Sequence, residues 1–510
     1  MLAPEYLAGL PDRLVAQYAA VERDILADMA RRIREYDFYI PAAQHQRQRL
    51  RAMGLTEEEI EARLSVLTGK SREELRRLME EAVERSLTAD TAVYAAAGMG
   101  PVDPLAAAGV GAVLRSGLAQ TGGVFENLTR TTAHTAGKQF TDVLDRAWLQ
   151  ITSGGFDYHT AIRMAVKDLA RQGMDSVAYP SGHTDTLEVA VRRAVVTGCN
   201  QTAARAQLAL MDELGTDLVE TSAHHGARPT HAVWQGRIFS RSGRSDKYPD
   251  FVSSTGYGTG AGLCGWNCSH SFGPYIEGAP RAYSPALLEQ YSTETVTYNG
   301  KKLTRYEAGQ QQRYIERQVR RWKREYAAMD GAGLDTSEAA AKLSAWRARE
   351  KDFCQQTGLK RQGERSQVAG FGRSEAVKAT AAVKVVEKRI VSAYNKKQEE
   401  IRALIRSDEI PKVIHAGRQN KHIKSSKGYI PGRSYIYGDL ETAQSLVDRY
   451  HGTGRFPISR AREWSHKEIV QSDEMVGVSI NQATGEETET RCFAIHYSNK
   501  GTHIVPIEEK

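Results

Sequence analysis

The residues best suited to chemistry lie in the last ninety positions of the chain, where His422, His496 and His503 occur together with Lys421, Thr490 and Ser498. Along Thr488–Ser498 the side chains of an extended strand alternate between faces. Thr490, Cys492, Ala494, His496 and Ser498 then share one face, and Arg491, Phe493, Ile495 and Tyr497 share the other. The second set is the apolar one and belongs on a core, which leaves hydroxyls and an imidazole on the open side. If Asn499–Gly501 makes a two-residue turn, His503 joins that polar face opposite His496 or Ser498. A three-residue turn sends it to the other side. Such a surface suits cleavage of RNA by its own 2′-hydroxyl, which needs a base for that hydroxyl and an acid for the departing 5′-oxygen. Imidazoles titrating near neutrality supply both. His422 and His496 are the expected acid–base pair, in either order, with His503 next. Lys421, Arg455, Thr490 and Ser498 offer cations and donors for the charge that grows on phosphorus. Cys492 has no evident activating partner and is read as incidental. Against this stands the plainer reading, in which each strand histidine is a bonded structural residue. The basic tract Lys421–Arg433 has two readings as well. Lys424, Tyr429 and Arg433, with Tyr435, suit phosphate contacts and base stacking, whereas Pro431–Gly432 also suits a simple turn.

A second group of chemically capable residues occurs mid-chain. Cys264-x-x-x-Cys268-x-His270, with His224, His225 and His231 upstream, offers soft nitrogen and sulfur ligands. Cys264, Cys268, His270 and His231 are the candidate ligands of a tetrahedral structural zinc. Small loop-rich units also bury free cysteines and bonded histidines, which is the competing reading. A nucleophilic Cys–His pair is a lesser option, because nothing marks an oxyanion hole.

The elements that position these groups are legible in outline. Residues 1–97 read as helices, with Thr56–Glu59 and Ser71–Glu74 fitting the capping box. Gly98–Pro104 is a break. Helical spacing returns at Gln139–Gln150, Tyr158–Gln172 and Thr184–Leu214. Residues 215–283 are rich in Gly, Ser, Tyr, Trp and His and read as a loop-rich unit. Charged helices are expected around Tyr306–Met329, Thr336–Phe353 and Ser374–Ile405, with Gly358–Ser374 as a flexible joint. A helix at Asp439–Tyr450 and strands at Met475–Ile480, Thr488–Ser498 and Thr502–Ile507 complete a small α+β domain with an antiparallel meander. The chain is therefore expected to be multidomain: a helical region 1–214, a loop-rich core 215–295, basic helices and linker 296–406, and an α+β domain 407–510.

Composition constrains the class. A chain of 510 residues exceeds one ordinary core. No run approaches the roughly 18 apolar residues of a membrane span, and the start lacks the pattern of a signal peptide. Five cysteines argue against a disulfide framework and for synthesis in a reducing cytoplasm. Residues 301–430 carry 30 Lys and Arg against 15 Asp and Glu, so the net +7 of the chain conceals a remainder at −8. The basic stretch suits phosphate backbone or an acidic protein surface, and equally suits a solvated helix.

Two resemblances follow from particular segments. Ser222–Ser240, Tyr248–Phe251 and Thr255–Tyr275, flanked by Tyr298–Glu325 and Asp352–Gln362, resemble the phage minor capsid protein 2 family over roughly residues 1–390. That resemblance implies a head protein near the portal, with portal and other head proteins as partners, packaged DNA against the basic helices, and location in the virion. Arg418–Tyr435, Tyr450–Arg455 and Glu487–Ile507 resemble the phage-borne polymorphic toxin type 50 domain, of the barnase-like and colicin-like ribonuclease group. This second resemblance implies a cofactor-free endoribonuclease with an RNA substrate and an immunity protein, delivered to a recipient cytoplasm. The alternative expectation is a purely structural head protein whose tail binds portal, scaffold or DNA.

Overall fold

A computed structural model describes the chain except at residues 100–102, 108, 179–181, 183, 460–462, 483, 509 and 510. Its contacts divide into two compact units, Met1–Val383 and Lys384–Lys510.

Long helices dominate the first unit. Asp12–Glu35 buries Leu14, Tyr18, Ile25, Met29 and Ile33, a stripe at helical spacing. Ala42–Thr88 runs unbroken for 47 residues. The helix starts expected at Thr56 and Ser71 do not form. Both hydroxyls instead donate to carbonyls four residues earlier, Thr56 to Ala52 at 2.7 Å and Ser71 to Leu67 at 2.8 Å. A buried hydroxyl satisfied by its own helix no longer caps a new one. Helix Val110–Thr152 extends far upstream of the expected Gln139. Glycines on two facing helices permit close packing: a Cβ on Gly117 would meet Thr202 at 2.2 Å, and one on Gly198 of Leu187–Glu213 would meet Thr121 at 2.4 Å. Leu187–Glu213 is therefore seated directly on Val110–Thr152. Part of the expected break at Gly98–Pro104 lies outside the described residues.

Short strands punctuate this unit. β1 (Asp175–Ala178) pairs with β2 (Thr184–Thr186). β3 (Leu218–Thr221) is the centre of an antiparallel sheet with β4 (Ile238–Ser240) and β5 (Phe272–Pro274). The long loops around this sheet close over Trp234, Phe239, Phe251, Leu263 and Phe272, which pack against Ala204 and Met211 of Leu187–Glu213. β6 (Thr295–Tyr298) and β7 (Lys301–Thr304) form a hairpin whose Asn299 and Gly300 both take positive φ, the demand of a type I′ turn. Thr304 then caps Arg305–Gly331 in a true capping box with Glu307. Ser337–Thr357 follows, and Lys384 falls inside Arg373–Arg406. Part of this unit's basic charge is paired internally. Arg320 pairs with Glu188 at 3.0 Å, Lys167 reaches Glu325 at 3.5 Å, and Arg361 pairs with buried Glu350 at 2.7 Å.

The second unit has its own core of Ile401, Ile405, Ile423, Ile436, Val447, Phe456, Val470, Phe493, Ile495 and Ile504. Helix Leu440–Tyr450 starts in a capping box of Asp439 with Thr442. The strands are β8 (Tyr435–Ile436), β9 (Lys467–Gln471), β10 (Gly477–Ile480), β11 (Glu487–Thr490), β12 (Cys492–His496) and β13 (His503–Pro506). They form two antiparallel sheets, ordered β11-β10-β8 and β13-β12-β9. The single meander expected from the sequence is thus corrected in one respect: Thr488–Ser498 is not one strand. The chain leaves one sheet at Thr490 and joins the other at Cys492. Thr490 fixes the step by accepting from the Cys492 amide at 2.9 Å and donating to the Ile507 carbonyl at 2.8 Å. Among the described residues no helix is long and apolar enough to cross a membrane.

Candidate functional site

The hairpin of β12 and β13 decides which imidazoles meet. Its register sets His496 directly opposite His503, and Ile495 opposite Ile504. The two rings stand 4.7 Å apart, 33° from parallel. His422 arrives from the turn Asn420–His422, and its ring lies 6.1 Å from that of His503 at 23°. Gln419 brings it there. Fully buried, the Gln419 amide donates to the Ile504 carbonyl at 3.2 Å and accepts from the Ile504 amide at 2.8 Å, so a side chain mimics one more strand beside β13. The bridge of Ile423 to Ile436 holds the far side of the turn.

Electrostatics keep these imidazoles uncharged. His496 is pushed down to about 4, first by burial and then by Lys467 and His422. His503 is pushed down to about 3 by burial and by His496, His422, Arg418 and His415. His422 also falls below the ordinary imidazole value because of burial, and its contact with the Ser434 carbonyl opposes the fall. That contact is a 2.7 Å hydrogen bond from Nδ1–H, which leaves Nε2 as the free lone pair. His503 Nδ1 is buried with no hydrogen-bond partner. His422 is on the wall of a cleft of about 570 Å³, which is also lined by Arg433, Ser434, Ser479, Thr488 and Val505.

The other residues named from sequence fall in different places. Lys421 is exposed beside His422. Ser498 accepts from Arg418 Nη1 at 2.7 Å and donates to the Gly501 carbonyl at 2.7 Å, so its hydroxyl holds a cation against the histidines. Thr490 does not share the His496 face: it is 1% exposed and its hydroxyl is spent on the step between sheets. Arg455 lines a separate cleft with Gln398, Glu399 and Arg402. Lys424 lies 4.5 Å above the ring of Tyr435 and donates to its hydroxyl at 3.2 Å. Tyr435 is 8% exposed, which removes it as a stacking platform. Ile430–Arg433 is a turn with Pro431 second and Gly432 third at φ 83°, closed by the Arg433 amide on the Ile430 carbonyl at 3.2 Å. Tyr429 donates to the Arg433 carbonyl at 3.1 Å.

Sequence reasoning overlooked His415, Arg418, Gln419 and Glu468. Arg418 precedes His422 by four residues, one helical turn, which was the available signal. Glu468 is fully buried on β9. It accepts from the Gly452 and Gly454 amides at 2.9 and 2.6 Å and from the Tyr497 hydroxyl. The Tyr450–Arg455 segment is thereby wrapped around a carboxylate. The alternation of Lys467, Glu468, Ile469 and Val470 carried that signal, since it sends Glu468 inward with Val470.

In the first unit, His231, Cys268 and His270 bring three ligand atoms within 4.8 Å of one another, all buried. His270 is held neutral, down to about 2, by burial and by His224, His231 and Arg228. Cys264, expected as a fourth ligand, lies outside this group, and its thiol donates to the His270 carbonyl at 3.6 Å.

Comparison with known proteins agrees with this division. Residues 2–355 match the family described as phage minor capsid protein 2, and residues 414–506 match that described as bacterial toxin 50. A protein of Lactococcus phage LL-H named structural protein is 29% identical over 214 residues, 41% of this chain and 54% of its own length. A second protein of that name, from Lactococcus phage mv4, is 39% identical over 93 residues, 18% of this chain and 67% of its own. The chain thus spans about half the length of the first of these relatives. No solved structure matches it. With the capsid match covering well over half of its length, the chain belongs to the phage minor capsid protein 2 family and carries a bacterial toxin 50 domain behind that region.

Proposed function

We propose that the protein is a component of the phage head, placed near the portal among other head proteins, whose second unit is a metal-independent endoribonuclease. The observation that carries this reading is the register that pairs His496 with His503 while Gln419 swings His422 alongside. RNA brings its own nucleophile. The 2′-oxygen attacks phosphorus, the 5′-oxygen leaves, and a 2′,3′-cyclic phosphate remains. His422 suits the base: its Nε2 is free, and the Ser434 carbonyl stabilises the imidazolium formed when it takes the proton. The coupled pair His496 and His503 supplies the acid, sharing one proton that a bound phosphate attracts. Arg418, held by Ser498, and Arg433 on the cleft wall face the developing charge.

In this account the exposed cations of 301–406 meet packaged DNA, the toxin unit acts in the cytoplasm of the cell that receives the genome, and an immunity protein protects the producer. Residues 384–510, which include Ile401 and Ile405, should degrade total RNA in the presence of EDTA and should be toxic when expressed without protection. Wild-type inactivity on both total RNA and tRNA, without toxicity, would overturn the enzyme reading. It would favour the alternative of a head protein whose tail is a binding module for portal, scaffold or DNA. The depressed, half-buried imidazoles are the feature that such a module shares.

A further inference from the structure

We propose that His231, Cys268 and His270 are the protein ligands of a zinc ion that pins the loop-rich sheet of the first unit. The Cys268 sulfur lies 3.8 Å from His231 Nδ1 and 3.7 Å from His270 Nδ1. A tetrahedral zinc with its usual bond lengths to sulfur and imidazole nitrogen separates those atoms by about 3.6 Å. Both sulfur-to-nitrogen spacings are those of ligands around a common centre.

Proton bookkeeping supports a cation there. His231 Nε2 lies 2.9 Å from the Ala261 carbonyl, an acceptor only, so Nε2 carries the hydrogen and Nδ1 is a lone pair. His270 Nε2 lies 3.2 Å from the Gln235 side-chain oxygen, which also accepts from the His224 amide at 3.1 Å. That second bond identifies the atom as oxygen, so His270 Nδ1 is a lone pair as well. Two buried lone pairs therefore face one sulfur, and the His270 carbonyl lies 3.8 Å from it. A thiol has one hydrogen to offer the two imidazole lone pairs, and the carbonyl already accepts from Asn200. A metal bound to the thiolate takes both imidazole lone pairs at once, and the sulfur still accepts from the His270 amide, 3.4 Å away.

The surroundings have the form of a metal site. Both imidazoles donate outward to oxygens, the arrangement that fixes a ligand's tautomer and orientation. Asn200, 1% exposed on Leu187–Glu213, donates to the carbonyls of Cys268 and His270 at 3.1 and 2.9 Å and so clamps the ligand loop to that helix. Within that loop Cys264 and Asn267 hold positive φ, a conformation that a cysteine rarely adopts. The metal joins the turn at His231 to the loop that leads into β5.

The test uses the full chain without a histidine tag. After loading and dialysis against metal-free buffer, one zinc per chain is expected, and removing it should lower the melting temperature. Cobalt in its place should show a thiolate-to-cobalt charge-transfer band. That band identifies the sulfur ligand and cannot arise from the histidines of the second unit. The band should persist in Cys264→Ser and vanish in Cys268→Ser. Substoichiometric zinc in the wild-type chain, cobalt bound without a thiolate band, or a band lost in Cys264→Ser yet kept in Cys268→Ser would each overturn the assignment.

Discussion

His496 and His503 face each other across the β12–β13 hairpin, their rings 4.7 Å apart, in a setting that holds both uncharged. Two neutral imidazoles in contact make a poor ion pair but a ready proton store, because a phosphate between them and Arg418 changes which state is favoured.

The pH–rate profile follows from those shifts. In the free protein the acid is the minor form at neutral pH, since His496 and His503 sit at about 4 and 3. kcat/KM on RNA reports the free enzyme and should therefore rise about tenfold per unit as pH falls from 8 to 6.5, levelling off at lower pH once His422, the base, itself takes a proton. A flat profile over that interval, measured with a short oligonucleotide, would show that an imidazolium is already present.

Stability should respond in the opposite direction. The unfolded chain protonates these histidines near 6.5, but the folded chain does so only near 4 and 3. Between those values the unfolded state binds more protons. The stability present above pH 6.5 is thus lost as pH falls toward 4. Thermal unfolding of residues 384–510 should show this loss, and His503→Ala should reduce it.

Arg418 is held by Ser498 and presses on His503 electrostatically. Arg418→Ala should lower kcat on RNA by about ten- to a hundredfold, within the range of one charge-stabilising donor or below it. Ser498→Ala, which frees the guanidinium without removing it, should cost less. Equal losses in both variants would assign the site's charge stabilisation elsewhere.

Glu468 binds two glycine amides and the Tyr497 hydroxyl inside the core. Glu468→Gln places a donor against one of these donors and should destabilise the second unit by about 1–3 kcal/mol. Gly454→Ala should also destabilise it, because a Cβ there would stand 2.3 Å from the Ile469 carbonyl oxygen. Urea unfolding midpoints of the two variants check both.

The sequence was most informative where periodicity met one covered face. Phe493, Ile495 and Tyr497 point inward as their alternation implied, and the charged helices appear close to their expected limits. It was least informative where one residue had two local options. Thr56 and Ser71 look like caps but bond backward within a continuous helix. Thr490 looks like the next position of a strand but is the step between two sheets. The register of His503 was open because the turn admitted two lengths, and the parallel bridge of Ile414 to Thr502 beside the hairpin is a non-local contact that no local pattern announces. Gln419 escaped notice for the same reason: its partner, Ile504, is 85 residues away.

In the proposed reaction, imidazoles around His503 cleave RNA through the substrate's own 2′-hydroxyl. The most direct measurement is product analysis of an RNA oligonucleotide incubated with residues 384–510 in EDTA. The expected products carry 2′,3′-cyclic phosphate ends, with no cleavage at a nucleotide made 2′-deoxy and a loss of about 10²–10⁴-fold in His422→Ala and in His496→Ala. Cleavage that persists at the deoxy position, or that survives both substitutions unchanged, would contradict it.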